Sequence, residues 1–171
     1  MSALVDDMLR LARLDHEPLS RTDVIDLTAL LTDSIRDARA IDQDRIWVGR
    51  IQPDLVVHGD PDLLRRAADN LLINIRVHTP AGTTATLTAQ SHGDQVVIEV
   101  DDDGPGVPES AIGRLFDRFY RLDGRHTGTG SGLGLAIVAE VAASHGGNAT
   151  ATTVTPQGLR ICLTLPMDMY K

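Results

Sequence analysis

Asp101-Asp102-Asp103-Gly104-Pro105-Gly106-Val107 opens, Leu115-Phe116-Asp117-Arg118-Phe119-Tyr120-Arg121 follows, and Gly130-Ser131-Gly132-Leu133-Gly134-Leu135 closes the stretch around which this chain is organised. An acidic Gly-rich turn, an aromatic pair and a second Gly-rich turn opening an Ala/Ile/Val-rich helix outline a nucleotide cradle. Asp102 stands at a strand end, where its carboxylate can accept from an exocyclic amine. Gly104 and Gly106 let backbone approach a flat ligand closely. Alone, such an acidic Gly-Pro-Gly run is more often an ordinary turn. The second turn says more, because Gly130, Gly132 and Gly134 free backbone N–H groups at a helix N-terminus, where an anion is favoured by donors and dipole together. It is not a dinucleotide fingerprint: the Gly-x-Gly-x-x-Gly spacing is missing and a polar loop, not a strand, precedes it.

Working outward, the 171 residues, 42% of them hydrophobic, suffice for one packed domain and an appendage. A net charge of −8 with scattered basic residues excludes the electrostatic footprint of a nucleic-acid binder. Lysine occurs only at Lys171, and arginine supplies fifteen of the sixteen basic residues. That excludes a P-loop, which needs a Lys after its last Gly, and a eukaryotic-type protein kinase, which needs one on its third strand. With the abundant Ala, Asp and Val it suggests a GC-rich bacterial source. The single cysteine, Cys162, lies in an apolar alternation and can form no disulfide within the chain. Hydrophobic runs are short and Asp6 and Asp7 stand near the N-terminus, so neither a signal peptide nor a membrane span is expected. A cytoplasmic location fits, with membrane association only through a partner.

Apolar groups at Leu4, Val5, Met8, Leu9, Leu11 and Ala12 give one helical face over residues 3–14. That helix is either a terminal helix of this domain or half of an interrupted helical hairpin. Residues 15–25 are a polar linker with Pro18. Asp26 caps a helix from Leu27 to about Ala40. Ile46-Trp47-Val48 and Leu55-Val56-Val57 are expected strands joined at Gln52-Pro53-Asp54. Asp60-Pro61, a cap followed by a first-turn proline, starts a third helix that runs to about Val77. Strands are expected at Ala85–Ala89 and Val96–Val100, a short helix near Glu109–Arg114, and a helix from Leu133 to His145 ending at Gly146-Gly147. A last strand pair, Ala149–Val154 and Leu159–Leu165, brackets Pro156-Gln157-Gly158. Helices alternating with a mainly antiparallel sheet make an α+β two-layer sandwich.

On the third helix Asn70, Asn74 and His78 are spaced by four and share one face. A solvated face is the plainer explanation of such a stripe. Asn is a poor helix-interior residue, however, which argues that the pair serves a site. In this order the pieces resemble the ATP-binding domain of bacterial sensor histidine kinases, in the superfamily shared with gyrase, Hsp90 and the mismatch-repair ATPases. Asn70-x-x-x-Asn74-x-x-x-His78-Thr79-Pro80 is similar to its N box. Asp102-Asp103-Gly104-Pro105-Gly106-Val107 is similar to its G1 box, Phe116-x-x-Phe119-Tyr120-Arg121 to its F box, and Gly130-x-Gly132-Leu133-Gly134-Leu135 to its G2 box. The likeness spans about Leu27 to Pro166.

The resemblance implies a mixed, mainly antiparallel sheet of the histidine kinase ATPase type (Bergerat fold) and a site for ATP and Mg²⁺. Asn74 would ligate Mg²⁺, Asp102 would read the adenine amino group, and His78 would lie against the adenine. Gly104, Gly106, Val107, Phe119, Gly130, Ser131, Gly132, Leu133 and Gly134 would complete the nucleotide contacts. Residues 111–130 would form a lid anchored by Phe116 and Phe119, with Arg121 or Arg125 near the phosphates. In the superfamily's ATPases a Glu four residues before the metal Asn is the general base. Asn70 stands there in this chain, and an amide cannot take a proton from water or a serine hydroxyl. Hydrolysis should therefore be slow and a neutral imidazole the expected acceptor. Asn70, Asn74 and Arg121 are the candidate catalytic residues. Two departures, Ile75 after the metal Asn and Val77 three after it, with Arg76 one place early, imply weaker ATP binding or slower transfer than is typical.

Residues 1–17 resemble the end of the second helix of the family's dimerisation hairpin, followed by a linker over 18–26, the kinase domain over 27–166 and a tail over 167–171. The acceptor histidine belongs on the missing first helix. His16 mimics an acceptor box, but Pro18 breaks the helix and the Arg-Thr-Pro continuation is absent. His58 and His92 are expected in turns, His126 in the lid and His145 at a helix end. The expected function is transfer of the γ-phosphoryl of Mg-ATP to a histidine on a hairpin of another chain, or on an absent N-terminal segment, feeding a response regulator. A split kinase is slightly preferred to an excised fragment, because a piece comprising this domain alone would more naturally begin near Leu27. The alternatives are an impaired nucleotide-sensing module and, less favoured because of Asn70, a gyrase-type ATPase.

Overall fold

The computed structural model describes residues 3–14, 19, 22–122 and 131–167. His16, Arg125, His126, Gly130 and residues 168–171 lie outside them. The elements in chain order are α1 (Ala3–Leu14), β1 (Asp23–Asp26), α2 (Leu27–Ile41), β2 (Ile46–Ile51), β3 (Val56–Gly59), α3 (Pro61–His78), β4 (Thr84–His92), β5 (Gln95–Asp102), α4 (Glu109–Ile112), α5 (Gly134–Ser144), β6 (Asn148–Thr153) and β7 (Leu159–Pro166).

Helix starts follow their local chemistry. The Asp26 carboxylate accepts from Ala29 N at 2.8 Å and opens α2. Asp60 accepts from Asp62 N and Leu63 N at 2.9 and 3.2 Å, with Pro61 in the first turn of α3. α5 differs: it begins after Leu133 with no side chain capping its first N–H groups. At its far end Gly146, at φ +75, donates to Ala143 O and closes the helix.

Five strands form one mixed sheet in the order β2-β4-β5-β7-β6, in which β2 runs parallel to β4 and every other pair is antiparallel. β1 and β3 form a separate antiparallel pair. The strands expected on either side of Gln52-Pro53-Asp54 therefore do not pair with each other. Gln52 N continues the β2 ladder by donating to Ala89 O. Pro53 then ends it, and Leu55 O turns to accept from Leu27 N at the head of α2. β1 lies in the stretch expected to be linker. His58 lies within β3 and His92 ends β4, where turns were expected.

One face of the sheet carries α2, α3 and α5. Leu87, Ile98, Leu163 and Leu165 from the strands share the core with Leu27, Leu31, Leu64 and Leu71 from the helices, all at most 4% exposed. Each such side chain contributes about 1.5–3 kcal/mol by leaving water. Alternation along β5 buries Val96, Ile98, Val100 and then Asp102, so a carboxylate occupies the last core-facing position of a central strand. α1 lays Leu11, 2% exposed, into the core, packs along α5 and pairs Asp7 with Arg66 of α3. No helix among the described residues is long and apolar enough to cross a membrane.

His145, next to the end of α5, pins the start of α3. Its Nε2 accepts from Asp60 N at 3.0 Å and its Nδ1 donates to Val141 O at 2.7 Å, so the ring is held neutral. A Cβ on Gly59 would meet the ring at 2.1 Å, which explains glycine there. Burial pushes the imidazole below its usual range, against the opposing pulls of Val141 O and Asp60. With the folded value depressed, the unfolded chain binds the proton more readily. The contribution of this pin is complete above the unfolded value of about 6.5 and is lost as pH falls below it, at a slope of at most about 1.4 kcal/mol per pH unit. Urea midpoints recorded between pH 7.5 and 5 are expected to fall for the wild type and to vary less for His145→Gln. Parallel curves for the two proteins would remove His145 as the cause.

Candidate functional site

Asn70, Asn74 and His78 lie along one side of α3, next to the face with Leu64, Ala68, Leu71 and Ile75 that enters the core. Asn70 is half-buried, and its side-chain nitrogen is enclosed without a hydrogen-bond partner. A buried amide donor left unpaired costs about 1–3 kcal/mol. The oxygen of the same amide faces the first turn of α5: a Cβ on Gly134 would lie 3.8 Å from it. The polar stripe of one helix thus borders the uncapped N-terminus of another.

At the other end of the stripe, Thr79 caps α3 and seats the acidic turn. A Cβ on Gly104 would meet the Thr79 methyl at 2.7 Å and an Asp102 carboxylate oxygen at 2.9 Å. Asp102 is 7% exposed and accepts from Gly104 N at 2.9 Å. Burial pushes its carboxyl up, opposed by the N–H donors of Gly104 and Leu159. Gly106, at φ +70, lies against Gly158, and Val107 packs on the rim of the core.

The aromatic segment closes onto the second glycine turn. Phe116 packs on the core as an anchor. Phe119 does not: its ring is 55% exposed, and the residue holds by its backbone, at φ +64, donating N–H to Gly132 O at 2.9 Å. Gly132, at φ +69, is required there because a Cβ would stand 2.9 Å from Phe119 backbone atoms. The aromatic segment and the second glycine turn thus meet backbone to backbone at residues 119 and 132. Arg121, two residues beyond Phe119, is partly buried. Ser131 Oγ accepts from Leu133 N at 3.3 Å, which shapes the turn into α5, and Leu133 is fully buried beneath it. Gly130 and Arg125 lie outside the described residues.

The four stretches therefore meet: α3 with the first turn of α5, the end of α3 with the acidic turn, and the aromatic segment with the second glycine turn. Sequence reading missed a fifth part. Gly158, at φ +125 in the turn between β6 and β7, sits so close to the acidic turn that a Cβ would stand 1.9 Å from Asp102 O, and Gln157 Nε2 donates to Asp103 O at 3.1 Å. The Gly in Pro156-Gln157-Gly158 was the only signal, and it read as an ordinary hairpin turn. Ile75, one of the two departures, is 3% exposed and packs in the core, while Val77 is 39% exposed. Among the described residues no cluster of three His, Cys, Asp or Glu is placed to hold a metal.

Comparison with known proteins identifies the family and the fold. Residues 59–169 match the family described as histidine kinase-, DNA gyrase B-, and HSP90-like ATPase. The probable sensor histidine kinase TcrY of Mycobacterium tuberculosis is 39% identical over 176 residues, covering 100% of this chain and 36% of that protein. The crystal structure of the ATP-binding domain of PrrB from Mycobacterium tuberculosis aligns with a TM-score of 0.73 at 32% identity, over 88% of this chain and 100% of that one. Full-length ShkA in complex with AMPPNP aligns with a TM-score of 0.84 at 26% identity, over 98% of this chain and 36% of that one. The chain spans about a third of the length of the curated relatives it matches. The sheet order, the two uncapped or glycine-lined turns and the matched residues together make this chain an ATP-binding domain of the sensor histidine kinases, with the α+β Bergerat fold, in the histidine kinase-, DNA gyrase B-, and HSP90-like ATPase family.

Proposed function

We propose that this chain binds Mg-ATP and directs its γ-phosphoryl to a histidine on a helical hairpin, carried by another chain or by a further segment of the same protein, which then supplies a response regulator. The observation that carries the reading is the Asn70 amide, its nitrogen enclosed and unpartnered and its oxygen beside the uncapped first turn of α5. A helix N-terminus and a spare amide donor suit phosphate oxygens. The glycine-lined gap over Asp102 suits a flat base whose amino group donates to the carboxylate.

Asn74 would hold Mg²⁺ through its amide oxygen, the metal's other positions being filled by phosphates and water, as suits a hard cation without a protein cage. When bound, the metal supplies neutralisation of charge on the phosphoryl oxygens. Asn70 cannot act as a base, so the site orients ATP without activating water. Arg121, two residues beyond Phe119, would supply a guanidinium to the phosphates. His78, exposed at the end of α3, borders the base.

The test uses γ-labelled ATP and a purified hairpin carrying a His-Glu-x-x-x-Pro stretch. Acid-labile, base-stable label on the hairpin is expected, with little phosphate release in its absence. Steady partner-free release would instead identify a gyrase-type ATPase. Strong ATP binding with no transfer to any hairpin would leave a nucleotide-sensing module, the reading that Val77 favours. Asp102→Asn separates recognition from folding. It removes a buried charge, so the urea midpoint is expected to hold or rise, while ATP affinity falls about 10- to 100-fold through one hydrogen bond to a charged acceptor. Unchanged ATP affinity would remove Asp102 from the base site.

A further inference from the structure

Beside the site, but outside every motif that identifies it, lies a buried ion pair. Arg45 and Asp42, in the turn between α2 and β2, have side chains 9% and 8% exposed and are bonded to each other. Such a pair is expensive to desolvate and is worth little for stability unless its remaining hydrogen bonds are filled. Here they are filled by the end of α3. The Arg45 guanidinium donates to Arg76 O at 2.9 Å, to Thr79 O, and through Nε to Thr79 Oγ1 at 3.2 Å. Thr79 Oγ1 in turn donates to Ile75 O at 2.7 Å, so the hydroxyl is held from both sides and the side-chain rotamer is fixed. A planar fork can bridge that set of acceptors, and a cation at a helix C-terminus is favoured by the dipole. Asp42 is itself held: its N–H donates to Ala38 O and its carbonyl accepts from Trp47 Nε1 at 3.0 Å.

The rotamer so fixed aims the Thr79 methyl at Gly104, in the position where a Cβ would meet it at 2.7 Å. Gly104 N donates to the carboxylate of Asp102. A continuous chain of contacts therefore runs from the Asp42–Arg45 pair through Thr79 and Gly104 to the carboxylate expected to read the base. We infer that Arg45, held by Asp42, is a positioning residue for nucleotide-base selectivity: it sets Thr79 against Gly104 and thereby fixes the height of the Asp102 carboxylate under an adenine. This rests on the proposed ATP site. A residue that only closed a helix would weaken all ligands alike through stability. One that places Asp102 changes the preference among bases and spares the phosphate end, where Asn70 and α5 sit.

The experiment measures dissociation constants of Mg-ATP, of the magnesium complex of purine riboside triphosphate, which lacks the exocyclic amine, and of magnesium tripolyphosphate. Wild type, Arg45→Met and Thr79→Ser are compared. Wild type is expected to prefer ATP over the amine-free analogue by about tenfold or more, the worth of one hydrogen bond to a charged group. In Arg45→Met the preference should fall to within threefold of unity while tripolyphosphate affinity stays within twofold. Thr79→Ser keeps every hydrogen bond of the hydroxyl and loses only the methyl, so it decides the matter even if Arg45→Met fails to fold; its preference should drop by at least about threefold. A wild-type preference retained in Thr79→Ser, or equal losses for all three ligands in Arg45→Met, overturns the inference while leaving the ATP site standing. A wild type that binds none of the three overturns both.

Discussion

Gly158→Ala is expected to lower the melting temperature by on the order of 10 °C and to weaken ATP binding at least about tenfold. Two costs add at this position. A φ of +125 is one that only glycine adopts freely, and an L side chain there costs about 1–3 kcal/mol. The new Cβ would also stand 1.9 Å from Asp102 O and 2.9 Å from Asp102 C, an overlap with backbone that no rotamer relieves, for about 1–3 kcal/mol more. In a domain of this size each kcal/mol shifts the midpoint by roughly 2–4 °C. The affinity loss has a separate origin. Relief of the overlap must move either the β6–β7 turn or the acidic turn, and both hold Asp102, through the N–H groups of Leu159 and Gly104. Gly113→Ala is the control: its φ is −67 and nothing lies within 4 Å of the added carbon, so it should stay within about 0.5 kcal/mol of wild type. If Gly158→Ala and Gly113→Ala melt together and bind ATP alike, the turn does not support the acidic loop.

The contrast between these two glycines shows which parts of the molecule sequence can carry. Features decided within one helical turn were legible: the caps Asp26 and Asp60, the first-turn Pro61, the closure at Gly146, and the alternation that buries Val96, Ile98 and Val100. The resemblance added the four motifs, and their meeting in space follows from the packing of α3 on α5. What stayed hidden was non-local. The parallel pairing of β2 with β4 joins strands separated by the whole of α3. β1 has only four residues, the last of which also caps α2, too short a run for alternation to declare itself. Gly158 could not be told from any hairpin glycine until the acidic turn was seen against it. Phe119 differs in another way: the resemblance implied a lid anchor, whereas the residue is exposed and meets Gly132 through its backbone.

Asn74→Ala is expected to abolish transfer to the hairpin, by about a thousandfold or more, while leaving the protein slightly more stable than wild type. The two halves of that result have different physical sources. Asn74 is the candidate protein ligand for Mg²⁺, and a metal that neutralises phosphoryl charge supplies several kcal/mol at the transition state, each 1.36 kcal/mol being tenfold in rate. For folding, alanine replaces a partly exposed asparagine inside α3, and helix propensity favours alanine by about half a kcal/mol. A residue kept for structure would show the opposite pairing, a loss of stability with activity reduced in proportion. ATP binding adds a further distinction. The proposed base end of the site, from Asp102 to Thr79, is untouched by the change, so the amine-dependent preference for ATP should survive even as magnesium-dependent affinity falls. Titration of the variant with ATP in the presence and absence of magnesium, beside the transfer assay and a thermal melt, measures all three quantities. Transfer persisting in Asn74→Ala would place the metal on other groups and dismantle the site as assigned.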